Sequence, residues 1–119
     1  MKKIAILRCL KTSASCAATG CFTAFNEKDK AFKRYEGEEI QLAAMWTCNG
    51  CCGDVLQNQA GIETKIARMA KNNISVVHLS CCTKKADENG EKVLCPNIAY
   101  IAQRLQALGI EIVEGTHGN

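Results

Sequence analysis

The sequence predicts an α/β domain built on an open, four-stranded parallel sheet of order 2-1-3-4 with helices on both faces, of flavodoxin-like or Rossmann-like type. Two observations carry that expectation. Four short apolar segments rich in β-branched or bulky residues recur along the chain, at Lys3 to Leu7, Ile40 to Trp46, Ile74 to Leu79 and Ile110 to Val113. Between them, apolar residues return with helical rather than alternating spacing. The resulting βαβαβαβ alternation favours a parallel sheet covered on both sides, and right-handed crossovers leave few topologies open to it. With 119 residues the chain, 1–119, has the size of one domain able to close its own core.

Taken in order, the opening Met1-Lys2-Lys3-Ile4-Ala5-Ile6-Leu7-Arg8 sets basic residues before apolar ones. Arg8 ends the apolar run far short of a signal-peptide core, so the segment reads as a strand. In the first connection Phe22, Phe25 and Phe32 are expected to share a buried side before Glu36-Gly37-Glu38 turns the chain into the second strand. The middle connection places Ile62, Ile66, Met69 and Ala70 on one helical stripe, and Asn72-Asn73 suits a left-handed stop. The last begins at Pro96, which fits a first helical position. It repeats Ile98, Ile101, Ala102, Leu105 and Leu108 on one face and stops at Gly109. Only Ser80 to Leu94 reads as a long irregular stretch.

Composition excludes several classes. No apolar run approaches the roughly 18 residues that span a bilayer, and 47% hydrophobic with 23% charged residues is ordinary for a soluble domain. The formal charge of +3 does not argue for nucleic acid, because Lys28, Lys30, Lys33 and Arg34 are interleaved with Glu27 and Asp29 and read as a solvated face. Neither a Walker phosphate loop nor a dinucleotide-binding glycine fingerprint occurs. A phosphatase-type loop would need arginine six positions after Cys9, where Ser15 stands. Cysteine is the anomaly, with nine residues. Their odd number, two adjacent pairs and the absence of an export signal point away from a disulfide framework. Metal binding or thiol chemistry in a reducing, cytoplasmic compartment is expected instead.

These cysteines follow the strands: Cys9 after the first, Cys48, Cys51 and Cys52 after the second, Cys81 and Cys82 after the third. Open α/β sheets bind ligands outside the carboxyl ends of their strands where chain order reverses, here between strands one and three. Neighbouring strands lie about 4.8 Å apart, the same order as the sulfur separations around tetrahedral zinc with Zn–S bonds of about 2.3 Å. Cys48-Asn49-Gly50-Cys51 is a C-x-x-C knuckle, and with Cys9 and Cys81 it makes a candidate four-thiolate site. Successive side chains of an extended backbone point oppositely, which makes Cys52 and Cys82 the expected spectators. Cys16, Cys21 and Cys95, on loops or at helix starts, are candidates for a second site or a cluster. His117 lies at the same edge as a ligand, a proton carrier or a plain C-terminal residue. His78, between Val77 and Leu79, reads as a packed, hydrogen-bonded histidine.

Each cysteine taken singly can also be a small buried hydrophobe; their shared edge is what favours chemistry. Zinc is the preferred metal and an iron–sulfur cluster its competitor, given the surplus thiols. Trp46-Thr47-Cys48-Asn49-Gly50-Cys51 after a strand also allows thiol–disulfide redox chemistry. Thioredoxin-like domains set a cis-proline opposite their dithiol, whereas the single proline here, Pro96, opens a predicted helix.

Arg8-Cys9, Cys16 with Gly20-Cys21, Cys48-Asn49-Gly50-Cys51, Cys81 after His78-Leu79, Cys95-Pro96 and Gly115-Thr116-His117 together resemble the CGGC domain family. These are small cysteine-rich proteins of largely anaerobic bacteria and archaea, regarded as metal binders. The likeness spans nearly the whole chain. It departs from the eponymous motif at Asn49, where the family has glycine, and asparagine tolerates the left-handed geometry a turn there would need. The resemblance implies metal binding through cysteines and histidine, and no established reaction.

Overall fold

The computed structural model describes residues 1–52, 55–86 and 88–117; the side chains of Cys51, Cys52, Val55, Leu56 and Lys85 lie outside the described ones. Strands β1 (Lys2–Arg8), β2 (Ile40–Thr47), β5 (Val76–Leu79) and β8 (Glu111–Glu114) form one parallel sheet in the order β2-β1-β5-β8. Counted by appearance along the chain, that is the predicted 2-1-3-4. Short antiparallel pairs, β3 (Cys51–Cys52) with β4 (Val55–Leu56) and β6 (Lys84–Ala86) with β7 (Lys92–Leu94), sit outside it.

The two central strands are buried on both sides, as a parallel sheet between helical layers requires. One layer sets Ala5, Leu7, Trp46, Val77 and Leu79 against helices α3 (Gln59–Lys71) and α4 (Pro96–Ala107), which contribute Ile62, Ile66, Met69, Ile98, Ile101 and Leu105. The other sets Ile4, Ile6 and Val76 against α2 (Thr19–Glu27) and the 3₁₀ turns of Lys30–Tyr35, through Phe25, Phe32 and Tyr35. At about 1.5–3 kcal/mol for each fully buried large apolar side chain, these layers are what hold the strand tips in register. Asn73 (φ 59°) and Gly109 (φ 85°) take the left-handed conformations expected beyond α3 and α4, and Pro96 opens α4 as predicted.

Three expectations are corrected. Phe22 does not share the buried side of Phe25 and Phe32: α2 turns Cys21, Ala24 and Phe25 inward, which leaves the position after Cys21 in solvent, 38% exposed. Leu108 lies half in solvent because it caps α4 just before the chain reverses at Gly109. Ser80 to Leu94 is not irregular. It contains a 3₁₀ turn, Cys81–Thr83, and the β6–β7 hairpin, whose pairing Lys84 to Leu94 and Ala86 to Lys92 was hidden by alternation too short and too charged to read.

His78 is fully buried on the α2 side of β5. Its Nδ1 lies 2.9 Å from the Gly115 carbonyl oxygen, which can only accept, so Nδ1 carries the proton and the Tyr35 hydroxyl donates to Nε2 at 2.7 Å. Phe32 stacks on the ring at 4.4 Å between centroids. Burial holds the imidazole neutral and its pKa below the ordinary histidine value, while burial pushes the Tyr35 phenol up to about 12. The unfolded chain therefore takes up a proton at His78 that the folded chain refuses. The contribution is fully present above the unfolded value of about 6.5 and is lost as pH falls through the depressed folded one. Urea midpoints measured across that window should fall with acidification in the wild type, and the slope should flatten in His78→Gln.

Candidate metal centre

Each strand of the sheet hands its hydrogen-bond ladder one step further at the carboxyl edge. The Cys48 N–H donates to Arg8 O (3.2 Å), Ser80 N–H to Leu7 O (2.9 Å) and Gly115 N–H to Leu79 O (2.7 Å). Cys9, Cys48, the Cys81-Cys82 turn and the Gly115-His117 tail are thereby locked in a row. Gly50 supplies the positive φ of the knuckle, 84°, and a Cβ there would meet Leu10 Cδ2 at 3.1 Å, so the knuckle sits against the start of α1 (Leu10–Ser13). Asn49 is not left-handed, contrary to the role allowed it above. Its side chain braces the loop instead: Nδ2 donates to Asn58 O at 3.3 Å, and Oδ1 accepts from Lys65 Nζ at 2.8 Å while Lys65 also donates to Thr47 O.

The thiols divide by position. Cys9 and Cys48 are buried, and Cys82 Sγ accepts from the Cys9 N–H at 3.4 Å. Cys81 and Cys82 lie in a 3₁₀ turn, so the extended-backbone reason for making Cys82 a spectator does not apply there. Successive side chains diverge by about 120°, which turns Cys82 onto the tip of β1 and leaves Cys81 exposed. Cys81 Sγ faces His117 Nε2 at 3.8 Å. Cys21 is buried beneath them, with its sulfur 3.1 Å from Thr116 Oγ1 and 3.7 Å from Ser80 Oγ. Cys16 Sγ accepts from Ala18 N–H at 3.3 Å, and Cys95 caps α4 with its N–H on Thr83 O. The Cys51 sulfur lies outside the described side chains. The sequence reading made Cys82 a spectator by treating Cys81-Cys82 as extended; the 3₁₀ turn instead sets its sulfur on the Cys9 amide. That reading also gave no role to Arg8, whose signal was a charge ending a buried strand.

Arg8 Nη1 donates to Cys16 O at 2.7 Å, while its Nε is buried and has no partner among the described residues. Arg8 is thus a fixed cation on the Cys16 backbone with one donor to spare, and such a donor suits an anionic acceptor. The donor set is sulfur with one imidazole, which suits zinc, copper(I) or iron–sulfur chemistry rather than magnesium or calcium. Among the described residues no three His, Cys, Asp or Glu side chains already converge on one point. A cavity of about 330 Å³ opens beside Cys81, bounded by Leu79, Ser80, Lys84, Lys92 and Glu114, with Lys84 and Glu114 paired at 2.9 Å.

Among the described residues no helix is long and apolar enough to cross a membrane. A protein of Methanocaldococcus jannaschii described as uncharacterized protein MJ0582 is 34% identical over 123 residues, covering 97% of this chain and 86% of that protein. No solved structure matches. The CGGC domain model matches residues 3–117. With its cysteines ranged along the carboxyl edge of the sheet and the match running over nearly its whole length, the chain belongs to the CGGC domain family, a cysteine-rich family associated with metal binding.

Proposed function

We propose that the chain binds a thiophilic metal ion, zinc preferred, through thiolates of Cys9, Cys48 and Cys51 together with one thiolate of the Cys81-Cys82 turn. Cys16, Cys21, Cys95 and His117 are further donors at the same edge. The observation that supports this reading is the bonding of neighbouring strand tips, Cys48 N–H to Arg8 O and Cys9 N–H to Cys82 Sγ, which sets the loops of Cys48 and Cys82 against the tip of β1 beside Cys9. Closing the ligands on one point would accompany binding and release protons from the thiols. Bound zinc would supply Lewis acidity or a structural clamp according to whether a coordination position stays open. The protein's own part is to fix the Cys16 loop through Arg8 and to brace the knuckle through Asn49 and Lys65. The reading takes the chain to work where thiols stay reduced, as in the cytoplasm; it assigns no role to nucleic acid or membrane.

Anaerobic purification without a tag, followed by assay of zinc, iron and acid-labile sulfide per chain and thiol counts with and without chelator, tests it. About one zinc per chain with thiols released by chelation is the expected result. Iron with sulfide would move the assignment to an iron–sulfur protein. Absence of metal with a reducible Cys48–Cys51 disulfide would replace it with thiol redox chemistry.

A further inference from the structure

We infer that Cys81 and His117 form a second, exposed metal-accepting site, distinct from the buried thiols, which Cys82 rather than Cys81 completes. The buried half of this division rests on the reading above; the exposed pair stands on its own geometry. Two donors on a tetrahedral zinc ion, one sulfur at about 2.3 Å and one nitrogen at about 2.0–2.1 Å, are separated by about 3.6 Å. Cys81 Sγ and His117 Nε2 stand 3.8 Å apart, and both residues are exposed.

The imidazole is held in that attitude by an absence of bulk beneath it. His117 lies on the first turn of α2 at Gly20, where a Cβ would come within 3.0 Å of both Cγ and Nδ1 of the ring. Gly20 has an ordinary helical backbone with no positive φ, so conformational freedom does not call for glycine there. Close approach of the ring does. Gly20 is thus a positioning residue for Nε2.

Cys81 borders the cavity of about 330 Å³ in which Glu114 offers an oxygen donor, now engaged by Lys84, whereas His117 lines a separate cleft against α2. A thiolate and an imidazole leave coordination positions open to water or to a donor on a delivering molecule, which makes the site exchangeable. The buried site begins one residue away, because the 3₁₀ turn sends Cys82 to the Cys9 amide and Cys81 to His117. Arrangement of an exposed two-donor site beside a buried thiol-rich one is that of an entry point through which a divalent ion is loaded.

Anaerobic titration of the full chain with cobalt(II), read by its thiolate-to-cobalt absorption and followed by zinc competition, tests this. Two equivalents of unequal affinity are expected. Gly20→Ala, which should fold because alanine suits a helix, is expected to weaken the second equivalent by about 10- to 100-fold and to spare the first, with circular dichroism unchanged. His117→Ala and Cys81→Ser should remove the second equivalent; Cys48→Ser and Cys82→Ser should remove the first. Wild-type stoichiometry and affinity in both Gly20→Ala and His117→Ala would overturn the exposed site. A single equivalent lost alike in every variant would overturn the division while leaving metal binding intact. Retention of the tight equivalent in Cys48→Ser would instead defeat the thiolate reading, and no binding in the wild type would defeat both.

Discussion

Cys48→Ser is expected to leave a folded chain that no longer retains the tightly bound equivalent of metal. Cys48 is the buried thiol whose backbone is tied to Arg8 O, at the point where β2 passes into the knuckle. Serine fits the space and keeps that backbone bond, but its hydroxyl stays protonated at neutral pH and is a harder donor than thiolate. A quarter of a structural zinc site's binding free energy of about 10–16 kcal/mol is roughly 3 kcal/mol, more than about a hundredfold in affinity. Cys48 belongs to the apolar layer against α3 and α4, so serine there should lower stability while the rest of that layer keeps the chain folded. Cys51→Ser should behave likewise, and Cys52→Ser should retain the metal. Metal content per chain after gel filtration, with circular dichroism as the check on folding, decides among them; equal loss at all three would show that the ligands are partitioned wrongly.

Phe32→Ala should be the most damaging single truncation away from the thiols. Phe32 is fully buried, meets Phe25 edge-on at 5.4 Å and covers the face of His78 at 4.4 Å. Loss of the ring removes apolar burial and leaves a cavity, together about 3–5 kcal/mol, against a total of about 5–15 kcal/mol for a typical domain. Urea denaturation should show a collapse of the midpoint, whereas Phe22→Ala, at an exposed position on the same stretch of chain, should stay within about 0.5 kcal/mol of wild type. A small effect at Phe32 would mean that this layer of the core repacks freely. Because His78 Nδ1 bonds to Gly115 O, the cavity variant should also loosen the tail that carries His117.

The sheet was legible because its signal is local. Ile4 to Leu7 and Val76 to Leu79 read as strands from continuous apolar runs, and the burial of Ile98, Ile101, Ala102 and Leu105 follows from their spacing on one helix. From alternation of strand and helix the parallel order followed, and from that order the placement of Cys9, Cys48 and Cys81 at one edge. Even the packed state of His78 could be read from its apolar neighbours. Phe22 and Leu108 were misread for a local reason too: a helix of fixed pitch that starts or stops one residue away turns an apolar side chain from core to solvent.

What the sequence by itself determined, then, is the architecture and the edge of the sheet at which sulfur collects, since both depend on periodicities of two to four residues. Which thiol faces which partner was decided by tertiary structure. Tyr35 meets His78 across 43 positions, Cys82 meets Cys9 across 73, and the ring of His117 rests on Gly20 only because α2 and the tail after β8 arrive at the same point. Side-chain direction in a three-residue 3₁₀ turn leaves no periodic trace, so Cys81 and Cys82 are equivalent in the sequence and opposite in the fold. Their difference arises from the neighbours that the closed sheet brings to each of them.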